Sequence, residues 1–226
     1  MMTLRPLIGA VLLGTLGFVD AAYAASCDFA LQRDVVISIT RNDGAIEYNN
    51  RNSRADLQRM QRRTVRTSAF GNQWTPVGLT LTELKYGMQV KIEAIQINEQ
   101  QYCARLTGVD AHLGYDKIQV FVARKFQPGS CHYNSITEHE LTHVRVFQNT
   151  LNNYFPRLQR RLERAAQAVQ PVRAKTPQAA ATRLQRHLSA TVDPLFKDMN
   201  RTLDRENAKL DTPARYRAEQ ARCSNW

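Results

Sequence analysis

Apolar and polar residues in the first half of the chain follow the short alternation that is typical of β-strands. Four segments mix β-branched and aromatic residues in this way: 34–40, 87–97, 101–113 and 117–126. Polar and glycine positions separate them, which suits a small antiparallel sheet before about residue 130. Between them we expect a short helix over 53–63 and a loop or edge strand over 71–80.

The second half of the chain changes to a helical period. Apolar residues recur mainly at intervals of three and four: Ile136, Val144, Phe147, Leu151, Phe155, Leu158, Leu162 and Val169. Pro156 is expected to kink or restart this helix. The stretch 170–177 breaks it, and Thr176-Pro177 forms a good N-cap and first turn for a second amphipathic helix that reaches Leu210. Two long helices joined by a short break predict an antiparallel hairpin, and the fold class is α+β.

The N-terminal residues have the pattern of a secretory signal peptide. Arg5 precedes an apolar run over 7–19, and small residues around Tyr23 predict cleavage after Ala24. The run is too short for a comfortable membrane span, and nothing later is long and apolar enough to be one. We therefore expect a signal peptide over 1–24 and one periplasmic or secreted domain over 25–226. Its residues 25–130 would be mainly strands and 131–226 mainly helical.

Four cysteines follow the predicted cleavage site: Cys27, Cys103, Cys131 and Cys223. An even number in an exported chain predicts two disulfides, and no two of them have the short CxxC spacing of a metal site. Of the three pairings we favour Cys27–Cys103 with Cys131–Cys223. The second bond would tie the segment just before His139 to the end of the chain.

Positive charge is concentrated in the helical half. Residues 145–226 contain sixteen Lys/Arg and seven Asp/Glu, which is +9 of the formal +11. Such a distribution is typical of the solvated face of long helices. It would also attract an anionic envelope polymer, a membrane surface or an acidic partner. Nucleic acid is not expected as a partner of an exported chain without a binding motif.

The stretch "SITEHELTHVRVFQ" (135–148) carries the clearest chemistry. Residues four apart share one helix face, so His139 and His143 can direct two imidazoles at one ion, and this pattern favours Zn²⁺. Glu140 can hold the metal-bound water, accept its proton during attack on a carbonyl and pass it to the leaving amine. A structural zinc site would not need Glu140. The expected function is therefore a zinc-dependent metallopeptidase that hydrolyses peptide or protein with a zinc-activated water.

"HELTH" also resembles the motif of the zincin metallopeptidases. Leu141 and Thr142 are uncharged as that pattern expects, whereas Arg145 departs from it. The longer layout ends with "NAKLD" and Tyr216, and it is similar to a bacterial family of exported proteins described as zinc-dependent proteases. That family follows its late aspartate with Thr-x-His-Gly, where this chain has "LDTPARY". The resemblance implies a zincin-like fold and Asp211 as a metal ligand.

A catalytic zinc takes a third protein ligand, and four acidic residues compete for that role. Glu163 lies twenty residues after His143, as in the thermolysin-like branch. A continuous helix, however, would carry it about 30 Å away. A chain folded back near residue 173 instead brings Asp204, Glu206 and Asp211 towards the two histidines.

Asp211 is our choice among these candidates, with Glu206 second. Glu206 falls on the apolar stripe between Leu203 and Leu210, where an unpaired carboxylate would be costly. Asp211 could equally cap a final helix that starts near Pro213. We expect Tyr216 to donate a hydrogen bond to the oxyanion of the tetrahedral intermediate.

Two other functions share these sequence features. The chain could be a non-catalytic envelope protein with a structural zinc site that binds an anionic partner. It could also be a peptidoglycan amide hydrolase, for which its positive charge is suggestive.

Overall fold

The computed structural model describes residues 27, 29, 34–64 and 75–226. The predicted signal peptide and residues 71–74 of the predicted loop lie outside them. The described residues form an α+β fold with these elements: β1 (Val36–Asn49), α1 (Arg54–Thr64), β2 (Gly78–Asn98), β3 (Gln101–Val122), α2 (Cys131–Ala168), β4 (Val172–Ala174), α3 (Pro177–Leu210) and α4 (Pro213–Gln220).

The sheet is mixed, so the expectation of a purely antiparallel sheet is wrong. β3 lies in the centre, with β2 antiparallel to it on one side and β1 parallel to it on the other. The short β4 pairs antiparallel with the start of β3. β1 and β3 run the same way because α1 and β2 lie between them in the chain and return it to the end where β1 began.

β3 is one continuous strand where the sequence predicts two. Its buried positions fall on odd numbers over 109–115 and mainly on even numbers before and after. Register shifts between β2 and β3 accompany both changes. A β-bulge adds one residue to one strand and moves the following side chains to the other face, so the apparent break is a bulge. Gly114 belongs to this strand because an added Cβ would lie 1.9 Å from the carbonyl oxygen of Asn42 in β1.

The two long helices form the predicted hairpin. Ser130 caps α2 and Thr176 caps α3, each accepting a backbone N–H of the first turn, and Pro177 starts α3 as predicted. The predicted short helix is α1. Of the two expected effects of Pro156, the restart is wrong, because α2 continues through it to Ala168, and the kink stays a prediction. Pro156 frees the carbonyl of Asn152, which is an exposed residue, so water can satisfy it.

Two apolar clusters hold the hairpin against the sheet. The larger one joins β3 to both long helices: Val109, Leu113, Tyr115, Ile118, Leu151, Leu158, Leu162, Leu188, Val192 and Met199. The smaller one joins α1 and the strand ends to Ile136 on α2: Leu57, Leu79, Phe121, Val122, Phe126 and Ile136. The smaller cluster therefore fixes the first turns of α2, which carry the His-Glu-x-x-His motif.

Both predicted disulfides are present. Cys27 bonds Cys103 in β3, and Cys131, the first residue of α2, bonds Cys223 just after α4. The second bond holds α4 beside the start of α2. None of the helices in the described ranges has the length and apolar composition to cross a membrane.

Candidate metal centre

His139 and His143 on α2 meet Asp211, which follows the last residue of α3. Their Nε2 atoms are 3.2 Å apart, and Asp211 Oδ1 lies 3.3 Å from each. Both histidines are buried. Ligand atoms around a tetrahedral zinc with bonds of about 2.0–2.1 Å are about 3.3 Å apart. The three side chains therefore have the spacing of three corners of a tetrahedron and could hold a metal ion.

The other nitrogen of each imidazole faces an oxygen. His139 Nδ1 lies 2.9 Å from Glu219 Oε1 on α4, and His143 Nδ1 lies 2.8 Å from Asn207 Oδ1 on α3. An oxygen acceptor at Nδ1 favours a proton on that nitrogen, which leaves the Nε2 lone pair for a ligand. Histidines that bind metals commonly donate their second N–H to such an acceptor. Both rings thus turn Nε2 towards the shared point, where a cation can take the place of the Nε2 proton.

The charges around this point favour a cation at its centre. Burial alone would lower the pKa of His139, but hydrogen bonding to Asp211 and the carboxylates of Glu140 and Glu219 outweigh it and raise the pKa to about 9. For His143, burial is likewise outweighed by Asp211 and Glu140, so its pKa is raised. Burial would raise the pKa of Asp211, but hydrogen bonds from both imidazoles hold it below its usual value. A proton and a metal ion would therefore compete for the same place.

Glu140 is buried between α2 and the start of β2. Its Oε2 lies 2.7 Å from Thr80 Oγ1, which is also 3.2 Å from the Glu140 carbonyl oxygen. A Cβ on Gly78 would lie 2.4 Å from Glu140 Oε1, so the glycine leaves room for the carboxylate. Burial raises the pKa of Glu140 although the two histidines oppose this. A carboxylate with a raised pKa is a more effective proton acceptor near neutral pH.

Tyr216 on α4 contacts the same cluster. Its hydroxyl donates to Asp211 Oδ1 at 2.6 Å, and its ring centroid is 5.1 Å from that of His139. Burial, followed by the neighbouring Asp211, raises the pKa of Tyr216, which keeps the phenol protonated. In this structure Tyr216 orients Asp211, and its role towards an oxyanion stays a prediction.

The competing ligand candidates lie elsewhere. Glu206 pairs with Lys209 and Arg205, and its side chain is 33% exposed. Its partial exposure and these two partners remove the cost that an unpaired carboxylate on the apolar stripe of α3 would carry, so Glu206 needs no metal. Asp204 is exposed. Glu163 accepts a hydrogen bond from Gln159, one turn earlier on the continuous α2.

The alternative role predicted for Asp211, as the N-cap of the final helix, belongs to a different residue. Thr212 is the N-cap of α4, and its hydroxyl accepts from the backbone N–H of Arg215 at 3.3 Å. Asp211 is therefore available to the histidines. His132, which the sequence places near the motif, packs against the rings of Phe126 and Trp226.

Glu219, Asn207, Thr80 and Gly78 were not identified from the sequence. They are 60 to 80 residues from their partners on α2. Asn207 carries a weak local signal, because it lies four residues before Asp211 at the end of a predicted helix. Nothing local marks Glu219.

Comparison of the chain with protein-family models, curated proteins and solved structures finds no match. The similarity of "HELTH" to the zincin motif accordingly rests on five residues. The structure adds features that do not follow from that motif: ligand atoms at tetrahedral spacing, an oxygen at each Nδ1, and a buried carboxylate beside them.

Proposed function

We propose that this protein is a zinc-dependent peptidase in which His139, His143 and Asp211 hold the metal and Glu140 is the general base. The proposal rests on the triangle of ligand atoms, with edges of 3.2–3.3 Å, beside the buried Glu140. Two imidazoles and one carboxylate suit zinc. Three protein ligands also leave one position for water or substrate, whereas structural zinc sites normally use four.

The chain's own groups supply the proton transfers. Zinc in this donor set would acidify a water molecule and polarise the substrate carbonyl. Glu140 accepts the proton of the attacking water as its oxygen bonds to the carbonyl carbon. It then delivers this proton to the amine as the carbon–nitrogen bond breaks. Thr80 holds the carboxylate. Tyr216 is the donor that we assign to the developing oxyanion, and its one hydroxyl proton would have to leave Asp211 for this role.

We further propose that the protein works outside the cytoplasm. The predicted signal peptide supports this location, and so do the two disulfides, which persist in oxidising compartments. A peptide bond in a protein and an amide bond in peptidoglycan both remain candidate substrates of the same site.

The far end of the hairpin supports a second candidate function, namely binding of an anionic envelope polymer. We define the tip as residues 157–186, which contain eight Lys/Arg and a single acidic residue. All of these basic residues except Arg161 are exposed. Under this hypothesis the metal would be structural, and the basic residues of the tip would bind the anionic polymer.

Glu140→Gln separates the two functions. Glutamine is nearly isosteric and can still hydrogen-bond water, but it cannot accept a proton. We expect full zinc content and a fall in hydrolysis of at least about 10²–10⁴-fold. The assay compares turnover of a peptide library and of cell-wall fractions by zinc-matched proteins. Glu138→Gln, two residues earlier and exposed, is the control. Equal hydrolysis by the parent and Glu140→Gln would contradict the mechanism, and absence of hydrolysis in the parent would favour the second function.

A further inference from the structure

Helix α4 places a carboxylate against the back of one metal-binding imidazole. Glu219 Oε1 lies 2.9 Å from His139 Nδ1, on the side of the ring opposite the ligand nitrogen. The Glu219 side chain is only 15% exposed and that of His139 only 4%. A hydrogen bond between a carboxylate and an imidazole N–H is strong and directional when water is largely excluded.

Two further links hold α4 in this position. The Cys131–Cys223 disulfide joins the residues after α4 to the first residue of α2. Arg222 donates to Glu138 Oε2 at 2.9 Å, which joins the same two segments at the surface. Neither link touches His139. The position of Glu219 is therefore set by contacts that are independent of the imidazole it meets.

We propose that Glu219 is a positioning residue of the metal centre. It accepts the Nδ1–H of His139, which fixes the ring orientation and keeps Nε2 free as the ligand. The inference rests on the proposed metal site and adds to it a residue that does not reach the shared point. His143 has a neutral amide, Asn207, in the equivalent place. A carboxylate increases the basicity of its imidazole more than an amide does, so His139 is the stronger of the two ligands.

A purely structural role for Glu219 would be to hold α4 onto α2. Three substitutions distinguish this role from positioning. Glu219→Ala removes the acceptor, whereas Glu219→Gln keeps an amide oxygen that can accept the Nδ1–H. Glu138→Ala removes the exposed ion pair between the same two segments and leaves His139 untouched.

The test is zinc affinity of the full mature protein, measured by competition with a chromophoric chelator. We expect Glu219→Ala to bind zinc about 10–100-fold more weakly. Glu219→Gln should retain most of the affinity. Glu138→Ala should match the parent, because the exposed ion pair with Arg222 contributes little while the Cys131–Cys223 disulfide still holds α4. Proton spectra of the zinc-loaded proteins give a second readout. The Nδ1–H signal of His139 should be protected in the parent and in Glu219→Gln, and exchange-broadened in Glu219→Ala.

Parental affinity in Glu219→Ala would overturn the positioning role, and so would an equal loss in Glu219→Gln and Glu219→Ala. His143→Ala separates this failure from failure of the proposed function. Loss of zinc in His143→Ala together with parental affinity in Glu219→Ala would refute positioning alone. Parental affinity in both variants would refute the metal site itself.

Discussion

The two ends of the α2–α3 hairpin share the same helices but have opposite character. At the site end, His139 and His143 are buried, and each of their ring nitrogens has a polar partner. At the tip, most of the cationic side chains extend into solvent. The tip begins fourteen residues after His143 on α2, which is roughly 21 Å along the helix axis. One pair of helices thus carries a preorganised polar centre and a diffuse electrostatic surface at a distance from it.

Between its two ends, the hairpin is held together by contacts between α2 and α3. Tyr154 on α2 donates to Asp198 on α3 at 2.7 Å, and Leu151 and Leu158 are fully buried beside it. Substitutions at distant sites without shared partners have nearly additive effects. We therefore expect changes at one end to leave the other unaffected.

The largest effect should come from His143→Ala. The remaining His139 and Asp211 cannot hold zinc tightly, so the bound metal should fall from about one zinc per chain to a trace. His187→Ala, an exposed histidine on α3 beyond the tip, should leave the metal content unchanged. Elemental analysis after dialysis measures both. Parental zinc content in His143→Ala would show that the site end is not a metal centre.

The two disulfides offer a matched test of the two ends. Cys131–Cys223 closes 92 residues at the site end, and Cys27–Cys103 closes 76 residues beside β4. Loop entropy predicts that removing either bond costs about 4–5 kcal/mol of unfolding free energy. Only the Cys131→Ser, Cys223→Ser pair should also weaken zinc binding, because it releases α4. Urea unfolding and zinc titration distinguish these outcomes, and equal zinc affinity in both double variants would contradict the distinction.

Asp211→Asn tests the third ligand. It should weaken zinc binding by more than the 10–100-fold that is typical of losing a residue that only hydrogen-bonds a metal ligand. The reason is that a neutral amide is a poor zinc ligand. Glu206→Gln changes a carboxylate that is paired with Lys209 and should not alter the affinity. Competition titrations of the two variants decide between them. A larger loss of zinc affinity in Glu206→Gln than in Asp211→Asn would make Glu206 the third ligand instead of Asp211.

Gly78→Ala tests the space around the general base. The added methyl would lie 2.4 Å from Glu140 Oε1 and 2.6 Å from Ile136 Cγ2. Such overpacking costs about 1–3 kcal/mol. We expect lower stability and reduced hydrolysis with zinc retained. Gly108→Ala is the control, because the atoms nearest to an added Cβ there, Lys91 Cδ at 3.2 Å and the Val36 carbonyl oxygen at 3.3 Å, are much farther away. Parental stability and turnover in Gly78→Ala would show that Glu140 is not confined there.

The smallest effect on the site should come from changes at the tip. Arg160→Glu combined with Arg186→Glu alters two exposed residues and should change stability by no more than about 0.5 kcal/mol per position. Zinc content and peptide hydrolysis should be unchanged. Retention on an anionic polymer should fall, and the difference should vanish at high salt. Unchanged retention would remove the support for an anionic partner.

Local signals explain which parts were predictable. Thr176-Pro177 marks a helix start within two residues, and the spacing of His139 and His143 is visible within five. The bulges in β3 reverse the alternation within one strand, so the sequence predicts two strands separated by a polar and glycine break. Glu219 and Thr80 meet the motif only through the tertiary fold, 80 and 60 residues away in the chain, and no local pattern indicates them.

The order of the site residues along the chain has a consequence for biosynthesis. His139 precedes Asp211 by 72 residues and Glu219 by 80. At about 5–20 residues per second, the motif exists for several seconds before its third ligand is made. During that interval the growing chain has two histidines and no complete metal group. For the metal centre that we propose, zinc capture would therefore be a late event in maturation, and a fragment released before residue 211 would carry the motif without Asp211.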